Sequence, residues 1–523
     1  MKILVSDPVS EQGIEILKKE FDVDIATGLP PAELIKRIGN YEALIVRSET
    51  QVTKDVINAG KKLKIIGRAG VGVDNIDVNA ATERGIIVVN APEGNTISAA
   101  EHTIAMMMAM SRNIPQANAS LKSKKWDRKK FMGVEVRGKV LGVVGLGRIG
   151  AEVAKRAQGM EMKILAYDPF ISQERAHELG VELTTVEDIV KNADYITVHT
   201  PLTKETKDLI SGREFAVMKK GSRLINCARG GIINEEALAK AVKDGIVSSA
   251  AIDVFVKEPP FDSPLLELDR VIVTPHLGAS TEEAQINVAV SVAEQIVNAL
   301  SGLPVKNAIN MPYVKPDVMQ IIEPFLPLAE KMGKLCTQLI GSNYEKIEVS
   351  YSGEIADKDV APVTLAVLKG VLEPILGAGV NYVNAPVIAK ERRIKVIESK
   401  SKTVEGYPSQ ISVKLSRKGE EKLVSGSIIG KEPRIVLIDE YRIDVVPSGY
   451  MIVAKHEDRP NIIGPCCMIL GKNNTNIAGM QVGRITRGGD AIMVLNIDSE
   501  VSDEILDEIR AVDGIIDAKL VVL

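Results

Sequence analysis

The stretch Lys139-Val-Leu-Gly-Val-Val-Gly145-Leu-Gly147-Arg-Ile-Gly150 decides the fold of the first half of this chain. Its apolar run is typical of a buried parallel strand, three glycines follow at the G-x-G-x-x-G spacing, and a helical pattern begins at once. A second apolar run ends in an acid, Asp168. Strand, glycine turn, helix and second strand in this order predict a βαβ unit of a doubly wound parallel sheet.

Each residue of this motif has a chemical role. Gly145 allows a tight turn, Gly147 lets the backbone approach a pyrophosphate, and Gly150 lets the helix lie close to the strand. The N-terminus of the helix offers free N–H groups and a positive dipole end to the phosphates. Asp168 can accept hydrogen bonds from the adenosine ribose, and its charge would repel a 2′-phosphate. The motif therefore predicts a dinucleotide site that takes NAD in preference to NADP.

Length and composition limit the alternatives. The 523 residues are too many for one core, and an apolar share of 45% with a charged share of 26% is ordinary for a globular protein. A net charge of −4 means that the chain lacks the excess of basic residues that is typical of nucleic-acid-binding proteins. The most apolar helix candidate, Ile97–Met110, is too short to span a membrane. The cysteines show no metal-ligand spacing, which favours a reduced, cytoplasmic protein without a metal; they are Cys227, Cys336, Cys466 and Cys467.

The pattern of elements divides the chain into four parts. Residues 1–95 alternate strands and helices without a phosphate-binding glycine pattern, and residues 96–284 repeat the alternation around the glycine motif. Strand-like segments and turns follow over 315–449, and residues 450–523 show the ferredoxin-like βαββαβ order. The predicted fold class is α/β, with two doubly wound parallel-sheet domains of Rossmann or flavodoxin type and two smaller α+β domains.

Ligands of such sheets lie beyond the C-terminal ends of the strands, so the residues that follow the strands are the candidates for catalysis. Arg229 could bind a carboxylate with two hydrogen bonds and polarise a neighbouring carbonyl. Among the five histidines, His276 is the best placed general acid/base, and Glu258 could hydrogen-bond its other ring nitrogen. Taken singly, His276 could be a structural histidine, Arg229 an ion-pair partner and Glu258 a solvated surface acid. Their shared position after strands of one domain favours catalysis.

Several further stretches resemble the D-isomer-specific 2-hydroxyacid dehydrogenases over residues 1–310. Beside the glycine motif, they are Gly67-Arg-Ala-Gly-Val-Gly-Val-Asp74-Asn75, Asn226-Cys-Ala-Arg-Gly-Gly-Ile232, Ala251-Ile-Asp-Val-Phe255 and Pro275-His-Leu-Gly-Ala-Ser280. Within that family the chain is most similar to the members that oxidise 3-phospho-D-glycerate to 3-phosphohydroxypyruvate with NAD and so open L-serine synthesis. Residues 315–449 resemble the intervening domain of the long form of these enzymes. Residues 450–523 resemble an ACT regulatory domain, which implies feedback by L-serine.

The resemblance assigns roles to particular residues. It implies that Arg229, Glu258 and His276 are catalytic, and that the substrate domain is 1–95 completed by 285–310. The implied NAD site comprises Gly145, Gly147, Arg148, Ile149, Gly150, Asp168, Thr200, Cys227, Ala228, Arg229, Asp253, His276, Gly278 and Ala279. One departure is Val71, where some relatives carry a hydroxyl residue.

The resemblance also implies contacts with substrate, effector and other subunits. Arg47 and Arg68 match positions that bind the substrate phosphate, and Arg128 matches a position that reaches a neighbouring subunit's site in a homotetramer. Asp458 and Asn476 match the serine site between two ACT domains. From the residues alone, Asp458 could instead cap the helix that is predicted to begin at Asn461.

Two other functions remain open at this point. A glyoxylate or hydroxypyruvate reductase would share the catalytic trio, but Arg47, Arg68 and the C-terminal domains favour a phosphorylated substrate. An NAD-responsive, corepressor-like binding protein could have the same fold, but the intact trio argues against it.

Overall fold

The computed structural model describes residues 1–403 and 406–523, and the strands within these ranges form four sheets that follow one another along the chain. None of the helices in the described ranges is long and apolar enough to cross a membrane.

The first sheet is parallel and has the strand order β2-β1-β3-β4-β5, which is the flavodoxin-like order. Its strands are β1 (Lys2–Val5), β2 (Asp22–Ile25), β3 (Ala43–Val46), β4 (Ile65–Arg68) and β5 (Ile87–Asn90). The connections carry α1 (Glu11–Lys18), α2 (Pro31–Arg37), α3 (Lys54–Ala59) and α4 (Val78–Glu83), with a 3-10 turn at Ile38–Asn40. Separate apolar clusters cover its two faces, as expected for a doubly wound sheet.

The second sheet is also parallel, with the order β8-β7-β6-β9-β10-β11-β12. Its strands are β6 (Val140–Val144), β7 (Lys163–Tyr167), β8 (Glu182–Leu183), β9 (Tyr195–Val198), β10 (Ser222–Asn226), β11 (Val247–Ile252) and β12 (Val271–Val273). Its helices are α5 (Thr96–Ser111), α6 (Ile114–Lys122), α7 (Arg148–Gly159), α8 (Gln173–Glu178), α9 (Val186–Asn192), α10 (Gly212–Val217) and α11 (Glu235–Lys243), with 3-10 turns at Arg128–Phe131 and Pro264–Glu267. The strand order reverses between β6 and β9, and this switch point is where a Rossmann sheet binds its ligand.

Helix α12 (Glu282–Leu300) returns the chain to the first sheet. Its residues Val288, Val292 and Ile296 belong to the apolar cluster on one face of that sheet. It begins at Glu282, because the Thr281 hydroxyl accepts a hydrogen bond from the Ala284 amide and caps the first turn. The segment after the helix stays with the same sheet: the Asn310 side chain accepts a hydrogen bond from the Val88 amide, at 2.9 Å.

The third sheet is mixed, with the order β14-β13-β15-β16-β17-β18, and only β13 and β14 run parallel. Its strands are β13 (Lys346–Gly353), β14 (Lys395–Ser401), β15 (Ser409–Arg417), β16 (Glu420–Ile429), β17 (Glu432–Ile438) and β18 (Tyr441–Val445). Its helices are α13 (Pro316–Ile322), α14 (Phe325–Ile340), α15 (Ala361–Leu376) and α16 (Ala385–Glu391), with a 3-10 turn at Glu354–Asp357. The paired helices α14 and α15 cover one face.

The last part of the chain confirms the predicted βαββαβ order. It consists of β19 (Tyr450–Glu457), α17 (Ile463–Lys472), β20 (Ile477–Arg484), β21 (Asp490–Ile497), α18 (Asp503–Arg510) and β22 (Ile515–Val522), in an antiparallel sheet of order β20-β21-β19-β22. Because side chains alternate along a strand, Ile452 faces α17 and α18 while Met451 and Val453 join the core of the third sheet. The last two sheets are therefore packed against each other.

Candidate active site

The glycine turn has the geometry expected of a dinucleotide site. Gly145 has φ +96°, and a Cβ there would lie 2.7 Å from the carbonyl oxygen of His199. A Cβ on Gly150 would collide with the carbonyl oxygen of Gly145, so the close approach of α7 to the turn requires glycine. Apart from its chain neighbours, no described residue has an atom within 4 Å of the place where a Cβ of Gly147 would be. The turn is thus tight on its inner side and open beside the N-terminus of α7.

Polar groups around this turn fit NAD. Asp168, at the end of β7, accepts hydrogen bonds from the amides of Leu146 and Phe170, each at 2.9 Å, and so holds the turn in place. Across the switch point, the Thr200 hydroxyl is buried and has no hydrogen-bond partner among the described residues. The first-turn amides of α7, which include Arg148 and Ile149, have no partner inside their own helix. An open glycine turn, free amides and an unpartnered hydroxyl are what a pyrophosphate and its nucleosides would use.

Glu258 and His276 form the predicted pair. His276 Nδ1 lies 2.9 Å from Glu258 Oε2, which confirms the hydrogen bond expected from the sequence. Partial burial would raise the pKa of Glu258, but the hydrogen bonds from His276 and from the Phe255 amide outweigh it and hold that pKa below its ordinary value. A carboxylate on Nδ1 fixes the ring orientation and leaves Nε2, which has no partner in the described part of the chain, to exchange a proton.

The loop that carries His276 is held by Asp253. His276 has a left-handed backbone, φ +57°, and its amide donates to the carbonyl of Asp253 at 2.9 Å. The Asp253 carboxylate accepts from the amides of Leu277 and Gly278, at 2.8 and 2.9 Å, and faces His102 Nε2 at 3.2 Å. Burial would raise the pKa of Asp253, but hydrogen bonds from His102 and Thr274 outweigh it and lower that pKa.

Two residues predicted to line the cofactor site have buried side chains. Asp253 is 0% exposed, so its carboxylate faces the loop and not the open cleft. Cys227 is also buried, which raises the pKa of its thiol to about 12. The remaining members of the predicted set lie beside them: the Ala228 amide donates to Asn226, the Gly278 carbonyl accepts from Ser98, and the Ala279 carbonyl accepts from Gln285.

Arg229 follows β10 and reaches across to the first sheet. Its Nε donates to Asp74 Oδ2 at 3.1 Å, and its Nη1 donates to the Ala228 carbonyl at 2.7 Å. A Cβ on Gly72 would collide with its Nη2, so glycine at this position makes room for the guanidinium. Two hydrogen bonds therefore fix the plane of the guanidinium and leave Nη2 for a ligand.

Arg68 and Arg47 complete a cluster of positive charge. Arg68 is largely buried, its Nε has no hydrogen-bond partner among the described residues, and a Cβ on Gly70 would collide with its Nη1. Burial, and then the charges of Arg229 and Arg47, lower the pKa of Arg68 to about 10. Arg47 lines a cavity of about 590 Å³ that Ser280 and Thr281 also border, just beyond the His276 loop. Arg229 and Arg47 are both close enough to Arg68 to lower its pKa, while the exposed Asp74 pairs with Arg229, and this cluster of three guanidinium groups indicates an anion site.

Three predicted residues lie away from this cleft. Arg128 sits in an exposed segment, and its side chain forms no hydrogen bond or ion pair with the cleft residues in the described structure. Asp458 accepts hydrogen bonds from Arg484 and from the Gly488 amide, at 3.1 and 3.0 Å, so the alternative that it caps α17 is wrong. Asn476 donates to Asp498 at 2.7 Å and lies beyond the other end of α17.

Sequence reasoning missed Asp74, Gly70, Gly72 and His102. The first three stand inside the quoted motif Gly67–Asn75, but the partner of Asp74 lies 155 residues further along the chain. His102 lies in the apolar helix candidate Ile97–Met110, and nothing in the local sequence points to its contact with Asp253.

Comparison with known proteins gives a consistent result. Residues 104–278 match the model for the D-isomer specific 2-hydroxyacid dehydrogenase NAD binding domain, and residues 321–439 match the D-3-phosphoglycerate dehydrogenase intervening domain. Over 527 residues, all of both chains, this chain is 51% identical to the D-3-phosphoglycerate dehydrogenase of Archaeoglobus fulgidus. It is 46% identical to the Bacillus subtilis D-3-phosphoglycerate dehydrogenase over 522 residues, 99% of each chain. The chain belongs to the D-3-phosphoglycerate dehydrogenase family.

Solved structures of more distant dehydrogenases share the fold of the first half. D-lactate dehydrogenase of Aquifex aeolicus, complexed with NAD and lactic acid, is 26% identical with a TM-score of 0.53, and the match covers 60% of this chain and all of that one. NAD-dependent formate dehydrogenase of Staphylococcus aureus, in complex with NAD, is 28% identical with a TM-score of 0.54, and 59% of this chain and 99% of that one are covered. The glycine turn and Asp168 thus lie in the NAD-binding domain of this family.

Proposed function

We propose that this protein oxidises 3-phospho-D-glycerate to 3-phosphohydroxypyruvate with NAD, the first step of L-serine biosynthesis. The observation that carries the proposal is the cluster of Arg47, Arg68 and Arg229, which supplies positive charge for two anionic groups of one substrate. The hydrogen-bonded pair of Glu258 and His276 supplies an acid/base. The names of the full-length relatives agree with this substrate.

In this mechanism each residue has a separate task. Arg229 holds the carboxylate and polarises the developing carbonyl through Nη2, while Arg47 and Arg68 bind the phosphate. His276 Nε2 takes the hydroxyl proton, and Glu258 stabilises the imidazolium that forms. The glycine turn and Asp168 would hold NAD, which would supply the acceptor for the hydride from C2. In the reverse direction protonated His276 is the acid.

Arg68→Ala tests the phosphate assignment. It should raise KM for 3-phosphoglycerate by about tenfold or more, since a charged hydrogen-bonding partner is lost, and should barely change residual turnover of D-glycerate. Arg84→Ala, at an exposed arginine of the same sheet domain, is the control. Equal losses on both substrates would assign Arg68 a structural role, and preferential reduction of glyoxylate or hydroxypyruvate by the wild type would favour the alternative reductase.

We also propose that the last domain is an ACT domain that binds L-serine between two copies. Asp458 and Asn476 lie at opposite ends of α17, which has 10 residues and so is about 15 Å long. One chain therefore cannot offer both side chains to one small amino acid, but two neighbouring domains can. The Asp458 carboxylate would receive the ammonium group in place of Arg484.

Serine inhibition of wild type, Asp458→Ala and Asn476→Ala tests this site. The wild type should be inhibited and both variants should resist. Asp513→Ala, which removes a 96% exposed carboxylate of the same domain, should behave like the wild type. If all four proteins were inhibited equally, serine would act elsewhere.

We infer a homotetramer in the cytoplasm. An exposed segment around Arg128 carries large apolar side chains that a monomer would leave in water, with Trp126 77% and Met132 80% exposed. A subunit docked there would bring Arg128 towards its neighbour, and a second contact through the last domain would give four chains. The unpaired cysteines fit a reducing compartment. Under this proposal residues 1–95 with 285–310 bind substrate, 96–284 bind NAD, and 315–449 and 450–523 are regulatory.

A further inference from the structure

A second cavity, of about 540 Å³, lies between α15, α16 and the edge strand β14, and none of the active-site residues lines it in the described structure. Its lining is mainly apolar and includes Leu365, Leu368, Ala389, Ile394 and Val396. Val396, at 38% exposed, is one of the large apolar side chains that remain accessible to solvent. The helices therefore do not close over the outer edge of the third sheet, and an apolar hollow remains there.

The entrance of this hollow is positively charged. Lys390 and Arg393 both line the cavity, and neither side chain has an ion pair or hydrogen bond among the described residues. Other cations of the same domain differ: Lys369 pairs with Glu330, Lys422 with Asp439, and Arg434 with Glu432.

Among the described residues that line the cavity, the carboxylate is that of Glu398, and it already has a hydrogen-bond partner. Glu398 accepts a hydrogen bond from the Thr364 hydroxyl at 2.7 Å, and Thr364 is in turn bonded to the Tyr351 hydroxyl at 2.7 Å. Glu398 is therefore held against α15, and within the described ranges neither Lys390 nor Arg393 forms an ion pair with it.

We propose that this cavity binds a small organic anion with an apolar body, such as a medium-chain or branched carboxylate. An apolar lining of this size suits a ligand of drug-like dimensions, for which cavities of about 300–1,000 Å³ are usual. Lys390 and Arg393 would bind its carboxylate, and burial of the apolar body would remove the lining from water. A highly polar phosphorylated acid such as 3-phosphoglycerate has no apolar body to fill the hollow.

The position of the site connects it to the rest of the molecule. Pro312 also lines the cavity, and it lies in the segment that joins α12 to α13. A ligand here would touch both the third-sheet domain and the connection to the catalytic half. The binding itself does not depend on the function proposed above, and its test needs no turnover.

Calorimetric titration of the full-length protein with octanoate, below its micellar concentration, tests the proposal. Acetate supplies the charge without the apolar body, and 1-octanol supplies the body without the charge. The double variant Lys390→Gln/Arg393→Gln removes both entrance charges. Arg392→Gln changes a neighbouring exposed cation that does not line the cavity, and Leu365→Trp fills the hollow.

Octanoate should bind the wild type and Arg392→Gln equally, and more tightly than either acetate or octanol. The double variant should weaken binding by about tenfold or more, as expected for the loss of charge-assisted hydrogen bonds, and Leu365→Trp should abolish it. Equal octanoate affinity in the double variant and in Arg392→Gln would overturn the proposal. Unchanged octanoate binding to Leu365→Trp would also overturn it. So would a wild type that binds no octanoate but self-associates in a way that Leu365→Trp removes, because the occupant of the cavity would then be a second copy of the chain.

Discussion

At the scale of single residues, proton transfer depends on the 2.9 Å contact between His276 Nδ1 and Glu258. His276→Ala should lower kcat by about 10²-fold or more, the usual effect of losing a general acid/base, with little change in NAD affinity. Glu258→Gln removes the negative charge that stabilises the imidazolium. Because oxidation needs neutral His276, the acidic limb of the pH profile of kcat/KM should move to lower pH.

The same measurement on Glu267→Gln, an exposed acid of the same domain, provides the control. A His276→Ala enzyme with near-normal kcat, or a Glu258→Gln profile that moves to higher pH, would contradict these roles.

Asp74 is the residue whose importance only the structure reveals, because its carboxylate orients Arg229. Asp74→Ala should lower kcat/KM by about tenfold, since a misaligned guanidinium loses part of its two-point grip on the carboxylate. Asp74→Asn, which keeps an acceptor for Nε, should recover part of that loss. Asp262→Ala removes an exposed partner of Lys257 and should have no effect. Steady-state kinetics measure kcat/KM for each variant. If Asp74 were only a surface acid, all three variants would have the same kcat/KM as the wild type.

These residues show how far sequence reasoning reaches. The contact between Glu258 and His276 could be predicted because both residues follow strands of one parallel sheet, and the C-terminal ends of those strands lie at the same edge. Arg229 and Asp74 come from different sheets, so no local pattern predicts their contact. The buried position of Asp253 was equally hidden, because its partners belong to a loop whose path depends on the whole domain.

At the scale of elements, the first turn of α7 packs so closely on the glycine turn that position 150 requires glycine. Gly150→Ala would place a methyl group against the Gly145 carbonyl, so both NAD affinity and the melting temperature should fall. Gly159→Ala, at the other end of the same helix, would meet no described atom within 4 Å beyond the adjacent residues and the helix's own backbone, and should leave both unchanged or raise stability slightly. Fluorescence titration with NAD and thermal unfolding give the comparison. Equal behaviour of the two variants would contradict the close packing at Gly150.

The order of elements could be predicted, but some of their ends could not. The strand-helix alternation and the final βαββαβ unit follow from hydrophobic periodicity, which is a local signal. Helix α17 begins at Ile463, two residues after the predicted Asn461, and Asn461 itself adopts a left-handed backbone with φ +66°. Asp458 accepts hydrogen bonds from Arg484 at the end of β20 and from Gly488 in the turn between β20 and β21, and these tertiary contacts override its tendency to cap a helix.

At the scale of the whole molecule, one chain crosses twice between its first two sheets. The first sheet is left at residue 90 and regained by α12, so Arg47, Arg68 and Asp74 come from one body while Arg229, Glu258 and His276 come from the other. Substrate that binds all of these groups must bridge the two bodies. Hydrophobic periodicity predicts two α/β units, but it does not predict that the second is inserted into the first. Only the resemblance to a family implied that insertion, and the packing of α12 on the first sheet explains it.

This cleft is expected to oxidise a 2-hydroxy acid that carries a phosphate. The most direct test is the rate of NADH formation by the purified full-length protein with NAD and either 3-phospho-D-glycerate or D-glycerate. The arginine cluster predicts that kcat/KM for the phosphorylated acid exceeds that for D-glycerate by about 10² or more, since charge-assisted contacts to the phosphate would be lost without it. Equal values for the two acids, or no NADH from either, would contradict it.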